Sequence, residues 1–294
     1  MPVINRMFKR KIENSNEGVV GIVIAVMLIG LLVSVVSIVQ IVYVPKWMEQ
    51  KESEHMDEVA AQFAQLKYAI DTHSATKQQY NPISASITLG SSELPYLMSV
   101  RSYGNLDLLE NSYKVKIIKN STVNYTFDIG TIKYSSFNAY YIDQEYAYEC
   151  GGIILSQTVG NTFFIKPSLH VVNEKNVDIY FNIINISTLA KKGSISGYGI
   201  YPIQTEFIDS VTLTEIENIS SIVFDTNYIT SWYSFLNGTL INAGLNYYGY
   251  GTNYTIESSD NQVVLEFDDS ITVDLHLNFI NIGAQIAPGW IENA

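Results

Sequence analysis

Residues able to do chemistry are few and scattered in this 294-residue chain. Its one cysteine, Cys150, has no internal partner for a disulfide. A nucleophilic thiol needs a histidine and an orienting group beside it, and none is apparent in the sequence around it. Such a thiol either pairs with another chain or is buried as a small hydrophobe, and burial is the expectation. The histidines His55, His73, His170 and His276 form no H-x-x-x-H or H-E-x-x-H pattern, so zinc is not expected. His55 and His73 are expected in solvent. No G-x-x-x-x-G-K-S/T loop, dinucleotide fingerprint or G-x-S-x-G elbow is present. The acid pairs Glu257/Asp260 and Asp268/Asp269 read as solvated turns. Calcium needs several converging oxygens, and a glycosidase needs two carboxylates across a sugar. No catalytic residue, metal or cofactor is therefore expected. One kind of chemistry is written plainly: N-x-S/T acceptors for glycans at Asn120, Asn124, Asn185, Asn218, Asn237 and Asn253.

All six follow one stretch, Gly18–Val44, which contains no charged residue. As a helix it would reach about 40 Å, and about 20 apolar residues cross a bilayer core. It is expected to span a membrane once. Arg6, Lys9, Arg10 and Lys11 precede it, against Glu13 and Glu17, whereas the remainder of the chain holds 13 basic and 27 acidic residues. Basic residues close to a span favour the cytoplasmic side. Residues 1–17 are thus a cytoplasmic tail or leader, and roughly 250 residues lie outside the cell. The run is longer than the 7–15 apolar residues of a secretory signal, and no A-x-A-like site follows it. A retained anchor is expected, or a prepilin-type leader removed within Ser15, Asn16, Glu17 and Gly18. An acidic outer portion also argues against nucleic acid, which demands basic patches.

Tyr43 and Trp47 suit a membrane–water boundary. Pro45 should bend or restart the helix. Beyond it, within an amphipathic neck at 45–75, Met56, Val59, Phe63, Leu66 and Ile70 share one helical stripe. The stripe packs on the chain's own β domain or forms a seam with a second copy, the first being favoured. From about residue 80 the apolar period becomes two, which indicates strands with one covered face. Expected strands include Ile83–Leu89, Tyr113–Ile117, Val123–Phe127 and Thr131–Ser135. Asp128-Ile129-Gly130 is expected to turn between Val123–Phe127 and Thr131–Ser135, and Gly151-Gly152 to make a tight turn or bulge. Later strands are expected at Thr162–Ile165, Leu169–Val172, Val177–Asn182, Ile200–Ile208, Tyr254–Ser258, Val263–Phe267 and Ile271–Phe279. Asn173–Asn176 is expected to supply a hairpin turn, and Asp268-Asp269-Ser270 to close a hairpin between the last two. A helix is expected over 231–244, with Ser231 as N-cap and Gly244 as its end. The fold class expected for 80–287 is mainly β: a sandwich, or two small ones dividing near 190–230.

The basic leader, Glu17 and the run VVGIVIAVMLIGLLVS resemble the N-terminus of archaeal type IV pilin-like proteins. Further pieces extend the likeness over residues 18–280: VPKWMEQKESEHMDEVAAQFAQLKYAI, SITLGSSELPYLMS and YIDQEYAYECGGIILSQ. Together they resemble a group of archaeal single-span proteins with pilin-like N-termini. The resemblance implies a surface protein with a hydrophobic N-terminal helix, an acidic helical neck and a β-rich outer portion, and it supplies no catalytic residues. The expected partners are the lipid bilayer, copies of itself or other pilin-like subunits through the Gly18–Ile70 helix, and surface glycans or envelope proteins. A membrane-tethered receptor or envelope protein that never polymerises is the other reading of the same residues. A tethered hydrolase has no constellation behind it.

Overall fold

The computed structural model describes residues 16–91, 102–120, 122–189, 193–247, 252–259 and 261–286. The chain divides between Trp47 and Met48 into two compact units. The first contains α1 (Asn16–Ile38) and a π-helical turn over Val39–Tyr43. Helix α2 (Val44–Thr76) begins at the end of that unit and runs into the second. The second unit also contains the strands and α3 (Ile229–Asn242).

Helix α2 has neither glycine nor proline from Lys46 to Thr76, so its backbone ladder is unbroken. It ends at Lys77, which takes a positive φ of 50° while its N–H donates to His73 O at 2.9 Å. That left-handed residue is a common way to stop a helix. Met56, Val59, Phe63, Leu66 and Ile70 are all buried in one core of the β domain. Full burial of side chains this size is worth about 1.5–3 kcal/mol each. The stripe packs on its own chain.

Two curled sheets make the β domain. One has five strands in the order β1 (Ile83–Thr88), β10 (Ile200–Ile216), β14 (Val273–Ile286), β8 (Val177–Thr188) and β7 (Leu169–Asn173). The other has nine. Its main path starts with β12 (Tyr254–Ser259), β13 (Gln262–Phe267), β11 (Ser221–Asp225) and β2 (Tyr103–Lys119). It continues through β3 (Thr122–Phe137), β4 (Gln144–Glu149), β5 (Gly152–Gln157) and β6 (Gly160–Ile165), with β9 (Ser194–Gly197) also pairing β2. Only β8 and β14 pair in parallel; the other described pairs are antiparallel.

The long strands serve two cores with opposite faces. In β8, Val177, Ile179, Phe181 and Ile183 enter the core roofed by α3, and Ile184 and Ile186 enter the core under α2. In β14, Val273, Leu275 and Leu277 face the first core, and Ile280, Ile282 and Ala284 the second. Strands β2 and β3 change face in the same manner, β2 across a register shift between Leu109 and Tyr113.

This crossing overturns the expected turn at Asp128–Gly130. Strand β3 runs straight through it, with Ile129 opposite Tyr113. Gly130 is there because β8 crosses above it: a Cβ would collide with Ile186 O. Its N–H donates to Asn185 Oδ1 at 2.8 Å. The glycine therefore marks a close approach of two strands, the other standard meaning of an in-strand glycine.

The expected hairpin at Asp268–Ser270 also fails. Strand β13 belongs to the nine-stranded sheet and β14 to the five-stranded one, so the segment crosses between sheets. Local turn chemistry is the same in both cases, because Asp268 Oδ1 accepts from Ser270 N at 2.9 Å. The strand pattern carries no label for which sheet comes next.

Other expectations are met. Cys150 and Gly151, at φ of 49° and 83°, turn β4 into β5. Asn173–Asn176 joins the antiparallel pair β7 and β8. Helix α3 lies within two residues of expectation, buries Trp232, Phe235, Leu236 and Leu240, and meets Gly244 at a φ of 79°. Its N-cap is Tyr228, not Ser231. Ser231 is inside the first turn, where its N–H and Oγ both donate to Asn161 Oδ1 at 2.8 Å. The orphan amide is satisfied from β6, a long-range cap that local reading does not show. Ser15, Asp260, the Gly249–Gly251 stretch and 287–294 lie outside the described residues.

Candidate functional site

The first unit carries one helix long and apolar enough to cross a membrane, near the N-terminus. From Val19 to Val36 every side chain is exposed. Helix α1 has 23 residues, Asn16, Glu17 and Gly18 forming its first turn, which gives about 35 Å of length. Valine and isoleucine dominate it although they are modest helix formers. In lipid the backbone has no other hydrogen-bond partner, so a helix is imposed. Ser34 follows the same rule: its hydroxyl donates to Gly30 O at 2.8 Å.

The π turn precedes Pro45. Val44 N–H donates to Val39 O, five residues back. Proline lacks an N–H and its ring crowds the preceding turn, and a widened turn is one way a helix accommodates that. In place of the expected bend or restart, the structure has this π-helical turn ahead of Pro45, and α2 continues through the proline. Next to it, the exposed rings of Tyr43 and Trp47 lie 5.9 Å apart at 37°.

In the second unit the six glycan acceptors separate by environment. Asn120 is exposed at the tip between β2 and β3, with a φ of 51°. Asn124 is exposed two residues into β3, and its Oδ1 accepts from Lys119 N at 3.0 Å. Asn218 is exposed, with a φ of 57°. These three share one end of the domain, since Ile118 pairs with Ser221 and accepts from Ser220 N at 2.9 Å. A groove of about 440 Å3 opens there beside Asn124 and Glu217. Asn237 and Asn253 are half-buried, and their Oδ1 atoms accept from Tyr254 Oη at 2.8 Å and Asn246 N at 2.9 Å. Asn185 stands apart. Its Oδ1 accepts from Gly130 N–H, and its Nδ2 donates to Asn281 Oδ1 at 2.9 Å and Ser187 Oγ at 3.3 Å. Its amide is committed to the strand crossing.

Four acid–base groups, Glu52, His55, His73 and Glu149, are buried and hydrogen-bonded within the domain. His55 and His73 are buried, against expectation. His55 Nε2 meets Tyr134 Oη at 3.1 Å, and His73 Nε2 meets Thr205 O at 2.9 Å. Burial holds both imidazoles below their ordinary pKa. Both extend the α2 stripe: His55 is four residues before Val59, and His73 three after Ile70. That register was the available signal. Glu52, four before Met56, extends it too. It is fully buried, and its carboxylate accepts from Ala139 N, Tyr140 N and Tyr141 N at 3.0, 2.8 and 2.7 Å.

Cys150 is buried as expected, and burial pushes its thiol up, away from a nucleophilic thiolate. Beside it, burial pushes the Glu149 carboxyl up to about 7, although Thr226 Oγ1 at 2.7 Å and Trp232 Nε1 at 3.1 Å donate to it. A cavity of about 90 Å3 adjoins this carboxyl. Glu145, on the same face of β4, is held by Tyr228 Oη at 2.6 Å and Ser135 Oγ at 3.1 Å. Among the described residues no three His, Cys, Asp or Glu side chains converge as metal ligands. No family model matches the chain, and no curated protein or solved structure matches it either.

Proposed function

We propose that the chain is a single-pass cell-surface protein of type IV pilin-like form, with structural or adhesive work done by its β domain outside an archaeal cell. The observation that carries this is the apolar surface left uncovered from Val19 to Val36. An apolar helix leaves lipid only when other apolar helices replace it. Lipid or a bundle of like helices would cover it. The four basic residues before the span support a cytoplasmic N-terminus, and the resemblance of residues 18–280 supports the pilin-like form. Asn120, Asn124 and Asn218 are the favoured glycan acceptors, and Asn185 is set aside because its amide is already bonded.

A second reading, a tethered binding protein that does not polymerise, is favoured by the α2 stripe. Met56, Val59, Phe63, Leu66 and Ile70 are covered by their own domain and offer no seam to a second copy. Mass spectrometry of the N-terminal peptide, in sheared surface filaments and in washed membranes separately, distinguishes the readings. A start near Asn16–Val19 in sheared material supports the filament. An intact N-terminus confined to membranes supports the tether. A start beyond Val44 in released protein identifies a cleaved signal and removes both.

A further inference from the structure

The outer face of the five-stranded sheet carries a groove that none of the foregoing uses. On β8 and β14 the even-numbered residues face away from the α3 core, in rows that pair Tyr180 with His276, Asn182 with Asn278 and Ile184 with Ile280. The last row is buried in the core under α2. Where α2 stops covering the face, a groove of about 370 Å3 opens. Its floor is Asn182 and Asn278, one wall is the end of α2 with Lys67 and Lys77, and the other is the β6–β7 connection with Lys166 and Ser168. The volume is within the range of ordinary ligand sites, about 300–1,000 Å3.

Charge singles the groove out. The chain carries a net charge of −12, yet three lysines line this groove against one acid, Asp71. Lys67 is spent on Asp71, at 2.8 and 3.0 Å. Lys77 and Lys166 are exposed and have no ion pair among the described residues. The floor is oriented as well. Asn278 Nδ2 donates to Asn182 Oδ1 at 2.9 Å, and Asn182 Nδ2 donates to Ser168 Oγ at 3.3 Å. Ser168 thereby accepts inside the chain and keeps its own proton for a ligand. One row along the sheet, about 7 Å away, is an aromatic step. Tyr180 is 46% exposed and stacks on His276 with centroids 4.5 Å apart at 11°. His276 Nε2 is fixed in turn by Asp178 Oδ1 at 3.1 Å.

We infer that this groove binds an acidic saccharide, its carboxylate or sulfate meeting Lys77, Lys166 and Ser168, its hydroxyls meeting the Asn182–Asn278 amides, and a sugar ring resting against Tyr180. A small anion would use only the lysines. The amide row and the fixed exposed tyrosine suit an extended polyhydroxyl chain. The inference goes beyond the surface-protein reading and stands whether the apolar helix is held in lipid or packed in a filament.

The test uses the full chain in nanodiscs, with calorimetry and saturation-transfer NMR. The probes are a galacturonate hexamer, a chondroitin sulfate hexasaccharide, a neutral galactose hexamer and inorganic phosphate. At least one acidic hexamer should bind, more weakly as salt rises, while the neutral hexamer and phosphate bind at least about tenfold less tightly. The double variant Lys77→Glu/Lys166→Glu should lose about tenfold or more with an unchanged thermal melt, and Lys77→Arg/Lys166→Arg should retain binding. Tyr180→Ala should weaken binding without changing its salt dependence. No binding of either acidic hexamer, equal binding of the neutral one, phosphate binding as tightly, or indifference to the charge reversal would each overturn the inference.

Discussion

Helix α1 and helix α2 each carry an apolar surface, and the chain treats the two oppositely. Helix α1 is apolar all round, and its residues from Val19 to Val36 are exposed. Helix α2 is apolar on one stripe, and the domain closes over it completely. Amphipathic patterning gives α2 a side to bury and a side to leave wet. A helix with no polar side cannot lie on a soluble domain without exposing as much apolar surface as it hides. Lipid or other apolar helices are the surroundings that suit such a helix. One helix is therefore an element of stability, and the other an element of location.

Substitutions can break that distinction. Phe63→Ala, in the covered stripe, should destabilise the domain by about 3–5 kcal/mol, while Leu28→Ala in α1 should shift the domain's melt by less than about 0.5 kcal/mol. Equal effects on thermal unfolding would mean that the helices are not different in kind. Gly30→Arg tests the other half. A charge at mid-span costs about 2.5–3.5 kcal/mol on insertion scales, so the variant should leave the washed membrane fraction with its β domain still folded. Unchanged retention would refute the anchor.

The polar groups inside the covered region sharpen the comparison. For Glu149 the folded carboxyl titrates near 7, above its ordinary 4.5. Its contribution is fully present below the unfolded value and is lost as pH rises through about 7. Glu149→Gln should therefore gain stability relative to the parent between pH 4 and pH 8, by up to about 3 kcal/mol. A melt difference independent of pH would sink this. The buried His55 and His73 have the opposite sign. Their folded pKa values are depressed, so their contribution is present above about pH 6.5 and lost as pH falls below it. His55→Gln should flatten the acid side of the stability profile. Among these polar groups the smallest effect is that of Glu52→Gln, which keeps two amide acceptances at best and weakens a charge-assisted clamp on Ala139–Tyr141 by about 1–2 kcal/mol. Faster hydrogen exchange at those three amides, with the rest of the domain unchanged, is the expected signature.

Much of this was legible because it depends on period and composition. The span, the α2 stripe, α3 and most strands follow from spacings of 3.6 and two. The burial of His55 and His73 follows register rather than residue type, because in this chain the stripe takes whatever occupies its positions. Glu52 illustrates the same rule with a charge. Gly130 and Asp268–Ser270 depart from expectation for another reason: a glycine or an Asp-Ser pair looks the same in a turn, at a strand crossing and in a link between sheets. The groove of Lys67, Lys77 and Lys166 was not legible at all, because its walls come from segments about 90 residues apart in sequence.

The sequence by itself determined that one stretch is apolar on every side over a membrane's width, that the neck has one apolar stripe to bury, and that most of the rest alternates as strands do. Those facts depend on apolar periodicity, which is local and survives any arrangement of the parts. Tertiary structure alone decided which sheet each strand joins and where β3 and β8 touch. It also decided which asparagine amides stay available and which lysines meet over a sheet face. These depend on long-range pairing, where the stabilising partner of a group such as Gly130 or Ser231 comes from a distant strand and leaves no trace beside it in the chain.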